Sequence, residues 1–160
     1  MAKDRGKTNA ARLLDERGIT YELVRYEPDL DDLSAERASE DTGIPPERMY
    51  KTLVVRGDRT GIIEACIPAG RELDLKALAA ASGNKSVSLV PVKELTPLTG
   101  YVRGGCSPIA GKKEYPVFIC QDAAKHEKIS INAGARGVLF LISLEDLVTV
   151  TGATLADIAK

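Results

Sequence analysis

Thr52-Leu53-Val54-Val55-Arg56-Gly57-Asp58-Arg59-Thr60-Gly61-Ile62-Ile63-Glu64-Ala65-Cys66-Ile67 is the stretch that decides the fold. Residues 52–55 and 62–67 are rich in β-branched and apolar side chains, and Gly57 to Gly61 between them carries turn residues. The segment reads as a β-hairpin. What surrounds it is a series of short helices and short strands. Upstream, Ala10, Ala11, Leu13 and Leu14 sit at helical spacing within residues 7–17, and Gly18 is a natural stop. Residues 21–26 read as a strand that Glu27-Pro28-Asp29 breaks. Ser34 caps a short polar helix ending at Gly43, and Pro45-Pro46-Glu47 opens a helical turn.

Downstream, Asp74 is the N-cap of a helix that Gly83 closes. Residues 86–90 form a short strand and 91–98 a helical turn. Residues 116–120 are a continuous apolar run, the mark of a buried strand. In 127–132, Ile129 and Ile131 alternate with Ser130 and Asn132, which predicts a half-exposed strand. Residues 137–142 are another buried strand. Ser143-Leu144-Glu145-Asp146 has the shape of a capping box and opens a helix running to Gly152. Short helices among many short strands give an α+β class, with helices against a mixed sheet. No repeat, low-complexity stretch or linker interrupts the chain, so 1–160 reads as a single domain.

The composition excludes several classes. Of the 160 residues 44% are hydrophobic, enough for a core and too many for disorder. Lys and Arg number 22 against 23 Asp and Glu, a net charge of −1, so the chain is not a uniformly basic nucleic-acid wrapper. A local basic patch remains compatible with that balance. The three cysteines, Cys66, Cys106 and Cys120, are odd in number and lack CxxC spacing, which argues against a disulfide framework or a structural zinc site. Cys66 and Cys120 lie in apolar runs and read as core. There is no apolar leader after Met1 and no run of membrane-spanning length, so the expected setting is cytoplasmic.

The chemistry-bearing candidate is Gly100-Tyr101-Val102-Arg103-Gly104-Gly105-Cys106-Ser107-Pro108. Paired glycines without Cβ let a backbone approach a ligand closely, and such a loop can aim several N–H groups at one developing oxyanion. The plain alternative is a tight turn between two strands. Cys106 is either a nucleophile or a small pocket-lining residue. Lys51, at the entrance to the first hairpin strand, either reaches a phosphate or carboxylate or stays solvated. Gly134-Ala135-Arg136-Gly137 is a second glycine-bounded turn, and Gly111-Lys112-Lys113 sets two charges close after the main loop. His126 is the only histidine and lies in a polar stretch, so a Ser-His or Cys-His pair would have to use it. No phosphate-loop, dinucleotide-binding or metal-ligand spacing is present, and no cofactor or metal is expected.

Taken together these residues resemble the YbaK family of free-standing aminoacyl-tRNA editing proteins, a domain also found inserted in some prolyl-tRNA synthetases. The resemblance runs from about residue 9 to the C-terminus. It is carried by Tyr50-Lys51-Thr52-Leu53, Leu73-Asp74-Leu75-Lys76, Thr99-Gly100-Tyr101, Gly104-Gly105-Cys106-Ser107-Pro108, Gly111-Lys112-Lys113 with Pro116, Arg136-Gly137 and Ala156-Asp157-Ile158-Ala159. It implies an α+β fold with a mixed, strongly curved sheet flanked by short helices, and a pocket for the aminoacylated 3′ end of tRNA. It implies a trans-acting deacylase that clears mischarged proline tRNA, with cysteine or alanine as the amino acid removed. For cysteine, the substrate's own thiol attacks the ester and a thiolactone leaves; for alanine, water attacks.

The expected catalytic set is Lys51, Gly104, Gly105 and Ser107. The expected substrate-binding set is Tyr26, Tyr50, Cys106, Pro108, Gly134 and Arg136, with Lys112 and Lys113 on tRNA and prolyl-tRNA synthetase as a candidate partner. The chain departs from the family at three places. No acid follows Arg136-Gly137, where Val138 to Leu141 stand. The preceding turn reads Ala133-Gly134-Ala135 in place of Gly-Gly-Lys, and Pro28 stands where a histidine often follows the first strand. A non-catalytic module binding tRNA ends or amino acids, and a thiol-dependent esterase using Cys106, are the competing readings.

Overall fold

Among the described residues there are eight strands and five helices, and the strands form two sheets that combine local hairpins with pairings far apart in sequence. The structure is a computed structural model, and it describes residues 7–160. In chain order the elements are α1 (Asn9–Glu16), β1 (Glu22–Arg25), α2 (Ala35–Thr42), β2 (Tyr50–Gly57), β3 (Gly61–Pro68), α3 (Leu75–Ser82), β4 (Val87–Leu89), α4 (Val92–Thr99), β5 (Val117–Cys120), β6 (Ile129–Ala135), β7 (Val138–Ile142), α5 (Leu144–Thr151) and β8 (Thr154–Ala156). Short 3-10 turns lie at Pro46–Arg48 and Gln121–Lys125.

The caps explain why each helix begins where it does. Thr8, Ser34, Asp74 and Ser143 each accept a hydrogen bond from the amide three residues on, satisfying one donor that the first helical turn leaves free. Gly43, Gly83, Gly100 and Gly152 end α2, α3, α4 and α5 in the left-handed conformation. The 91–98 turn is in fact a full helix, α4, even with Pro97 inside it.

The hairpin forms as read, with Gly57 opposite Gly61 and Lys51 opposite Ile67. It is the centre of a five-stranded sheet in the order β4-β2-β3-β5-β8, in which β5 and β8 run parallel to β3. A second sheet, β1-β7-β6, is antiparallel. A parallel bridge from Met49 to Ser130 connects the two. The mixed sheet implied by the sequence is thus divided in two. Both sheets contribute to one apolar core, with Ile63, Ile67 and Ile119 from the larger and Ile129, Ile131 and Phe140 from the smaller.

Residues 127–132 correct the expectation of a half-exposed strand. The alternation is present, but Ser130 is 0% exposed and its hydroxyl has no partner among the described residues. Ser130 pairs with Leu141, and Asn132 with Leu139, so all four share a face. On that face Leu139 belongs to a small separate core with Ala38, Ile44, Met49 and Ala69. Polar alternation predicts water on one side only when nothing else packs there. No helix among the described residues is long and apolar enough to cross a membrane.

Candidate active site

A cleft of about 380 Å³ lies where the two sheets meet. One wall is β2, from Tyr50 to Val54; another is Asn132 and Leu139 of β6 and β7. The start of α2 and Leu33 close one end, and Leu89, Val92 and Leu95 form an apolar side. Arg103, Gly104 and Cys106 of the glycine loop complete it. Lys51 and the glycine loop therefore share one cavity. Lys51 is half-buried, and among the described residues its ammonium has no carboxylate within ion-pair distance.

The loop that faces Lys51 is rigidly built. It connects α4 to β5, not strand to strand. Tyr101 is its centre: the backbone amide of Tyr101 donates to Thr99 Oγ1 at 3.0 Å, and its phenol donates to the Ile109 carbonyl. The Gly105 amide donates to the Val102 carbonyl at 2.9 Å, closing a tight turn, with Gly104 at φ +82°. Ser107 is buried and its hydroxyl accepts from the Ile109 amide at 3.2 Å. The Cys106 amide, in contrast, donates to no group among the described residues, and Cys106 lines the cleft.

Two contacts seat this loop on the β6–β7 connection. Asn132 Nδ2 donates to the Gly104 carbonyl at 3.1 Å while its Oδ1 accepts from the amides of Gly134 and Ala135 at 2.6 and 3.1 Å. Arg136 Nε donates to the Arg103 carbonyl at 2.8 Å. Between them, a Cβ on Gly105 would stand 3.0 Å from the backbone of Ala135 and Arg136, and one on Gly134 would stand 2.9 Å from the Tyr101 ring. The close approach that the glycines allow is to the neighbouring turn. Gly105→Ala is expected to destabilise the fold by about 1–3 kcal/mol, because backbone on both sides must move. Urea unfolding measures it, and unchanged stability would mean that the loop is not seated there.

The sequence-derived residues thus separate. Tyr26, Tyr50, Lys51, Gly104 and Cys106 line the cleft. Gly105, Ser107, Gly134 and Arg136 support the loop from behind or beside it. Lys112 donates to the Pro97 carbonyl at 3.2 Å, and Pro108 and Lys113 line a different cleft. Asn132 and Arg103 were not among the expected site residues. Asn132 falls on the polar side of its strand, a position that reads as solvent-facing, and Arg103 is hidden by its glycine neighbours.

The electrostatics suit an anionic substrate and disfavour a protein nucleophile. Lys51 and Arg103 contribute two cations to the cleft against the single carboxylate of Glu36. Burial, reinforced by the nearby Glu64 carboxylate, pushes the Cys106 thiol up to about 12, so it stays protonated near neutrality. Burial also raises Tyr50, whose hydroxyl has no partner among the described residues and lies near Cys120, Asp122 and Arg71.

Comparison with known proteins identifies the family. The family model described as "Aminoacyl-tRNA editing domain" matches residues 30–150. A protein of Enterococcus faecalis (strain ATCC 700802 / V583), named EbsC and named for deacylation of Cys-tRNA(Pro) and Cys-tRNA(Cys), is 41% identical over 156 residues. That match covers 98% of this chain and 95% of the relative. The proline–tRNA ligase of Thermosipho africanus (strain TCF52B) is 30% identical over 99 residues, 62% of this chain and 17% of that longer protein. Among solved structures, the hypothetical protein APE2540 superposes with a TM-score of 0.83 at 25% identity, covering 93% of this chain and 97% of that one. A structure described as a trans-editing enzyme for prolyl tRNA synthetase gives 0.80 at 23% identity, covering 96% and 98%. The chain belongs to the aminoacyl-tRNA editing domain family.

Proposed function

We propose that this protein is a trans-acting aminoacyl-tRNA deacylase that clears cysteine from mischarged proline tRNA in the cytoplasm. The observation that carries the reading is the shared cleft of Lys51 and the glycine loop, where the ammonium makes no ion pair and the Cys106 amide donates to no group among the described residues. In this scheme Lys51 holds the terminal phosphate or ribose of the 3′ adenosine, with Arg103 as a second cation. The ester carbonyl lies against Gly104 and Cys106, where the Cys106 amide takes the developing negative charge. One such donor supplies roughly 3–4 kcal/mol at the transition state.

The attacking group comes from the substrate. The thiol sulfur of the cysteinyl moiety bonds to its own carbonyl carbon, the bond to the ribose oxygen breaks, and the thiol proton ends on that oxygen. A thiolactone leaves and the tRNA regains a free hydroxyl. Holding thiol and carbonyl in one geometry lowers the barrier without a protein nucleophile. The raised Cys106 thiol supports the same view. Lys112, Lys113 and Arg136 remain candidates for acceptor-stem phosphates, a role that makes affinity fall as salt rises. Prolyl-tRNA synthetase is the candidate partner.

Single-turnover deacylation of proline tRNA carrying Cys, Ala, Ser or Thr tests the proposal, with products identified by mass. Rapid loss of Cys with thiolactone release is expected. Preferential loss of Ala without any cyclic product would replace the thiol route by water attack, and no deacylation of any substrate would leave a binding module. Cys106→Ala is expected to keep activity within about threefold of the parent chain, because its amide is unchanged. A folded Cys106→Ala protein without activity would restore the thiol-nucleophile mechanism.

A further inference from the structure

A second cleft, of about 520 Å³, lies on another part of the molecule between α1, α5 and the segment 108–117. It shares no lining residue with the first. Glu64 of β3 lines it. Glu64 is 5% exposed and, among the described residues, its carboxyl has neither a cation within 4.0 Å nor a hydrogen-bond donor. Its titratable neighbours away from the cleft are Cys66 on its own strand and Tyr101 and Cys106 on the glycine loop, none of them cationic. From the cleft side it meets a space bordered by Arg17 of α1 and by Lys113, Glu114 and Tyr115. An ionised carboxylate taken out of water without a partner is costly, so a buried acid at an open cleft is a vacancy for positive charge.

We infer that this cleft is a ligand site, and that it takes a small organic ammonium that also carries a carboxylate, a free α-amino acid being the simplest example. The ammonium meets Glu64. The carboxylate meets Arg17 and Lys113, which are exposed and make no ion pair among the described residues. Ile109, Tyr115 and Val150 give the apolar wall for a side chain. A metal ion fits less well, since no group of three or more His, Cys, Asp or Glu is assembled among the described residues. The wall formed by Pro108 to Gly111 continues directly from the loop that faces Lys51, so an occupant here touches the same loop from its other end. The inference does not depend on deacylation.

Burial raises Glu64 to about 7. An incoming ammonium favours the ionised form and releases a proton, so binding tightens as pH rises through that value. The test is an NMR titration of the full-length protein with L-alanine, L-alaninamide and N-acetyl-L-alanine, following backbone amides. L-alanine is expected to shift Ala110, Gly111, Val150 and Gly152 saturably, with affinity rising about tenfold from about pH 6 to about pH 8. Alaninamide binds more weakly, N-acetylalanine does not bind, and Glu64→Gln loses roughly tenfold or more in alanine affinity. Four results would overturn the inference: no saturable shift with L-alanine, shifts confined to Tyr26, Lys51 and Leu139, equal binding of N-acetylalanine, or undiminished binding by a folded Glu64→Gln protein.

Discussion

Lys51→Ala is expected to lose deacylation of Cys-tRNA(Pro) by a factor of a hundred or more while the protein stays folded. The fold expectation follows from position. Lys51 is half-buried at the start of β2, makes no ion pair among the described residues, and faces a cleft, so its removal leaves no buried charge unpaired. The activity expectation follows from chemistry. The ammonium is half of the positive charge in the cavity, and loss of a group that positions the reacting centre costs about 3 kcal/mol or more. Lys51→Arg is expected to recover binding better than rate, because a planar fork replaces a point charge. Single-turnover rates at saturating enzyme separate the two effects. A folded Lys51→Ala protein with full activity would remove this residue from the mechanism.

The second large effect is on stability. Glu64 is held near 7 by burial, against an ordinary value of 4.5. Between those values the folded protein keeps the proton that the unfolded chain has released. The folded state therefore binds more protons, and stability falls as pH rises across this window, then stays at the lower level. The loss amounts to about 3 kcal/mol at full ionisation, at 1.36 kcal/mol for each pH unit. Glu64→Gln keeps the shape and removes the titration. Urea unfolding at about pH 5 and about pH 8 is expected to show the parent chain losing stability, with the Gln variant nearly flat. Parallel profiles for the two proteins would mean that Glu64 is solvated or paired in solution.

Most of the local grammar of this chain was legible. Ser34, Asp74 and Ser143 open the helices that their side chains predict, Gly43, Gly83 and Gly152 close them, and Gly57 to Gly61 turns the hairpin. These features depend on residues within four positions of one another. What escaped depends on partners far away. The division into two sheets, the short strand β8, and the burial of Ser130 arise from pairing and packing that no period encodes. The site shows the same split. Lys51 and Gly104 could be paired through the resemblance, yet nothing local says that Gly105 needs its missing Cβ for Ala135 and Arg136, or that Asn132 holds the loop. Glu64 sits within the otherwise apolar run Ile62 to Ile67, the mark of a strand covered on both faces, and that was the available sign of its burial.

The parallel pairing of β3 with β5 and of β5 with β8 has a kinetic consequence. Glu64 must find Val117 and Ile119 must find Leu155 before the larger sheet is complete. Each closes a long segment of chain, an entropic cost met before the contact repays it. The β2–β3 hairpin, whose ends are adjacent, can form in microseconds, whereas the whole domain belongs with proteins that take milliseconds to seconds. The strand that carries Lys51 is therefore ready early, ahead of the long-range pairings that join β5 and β8 to its sheet.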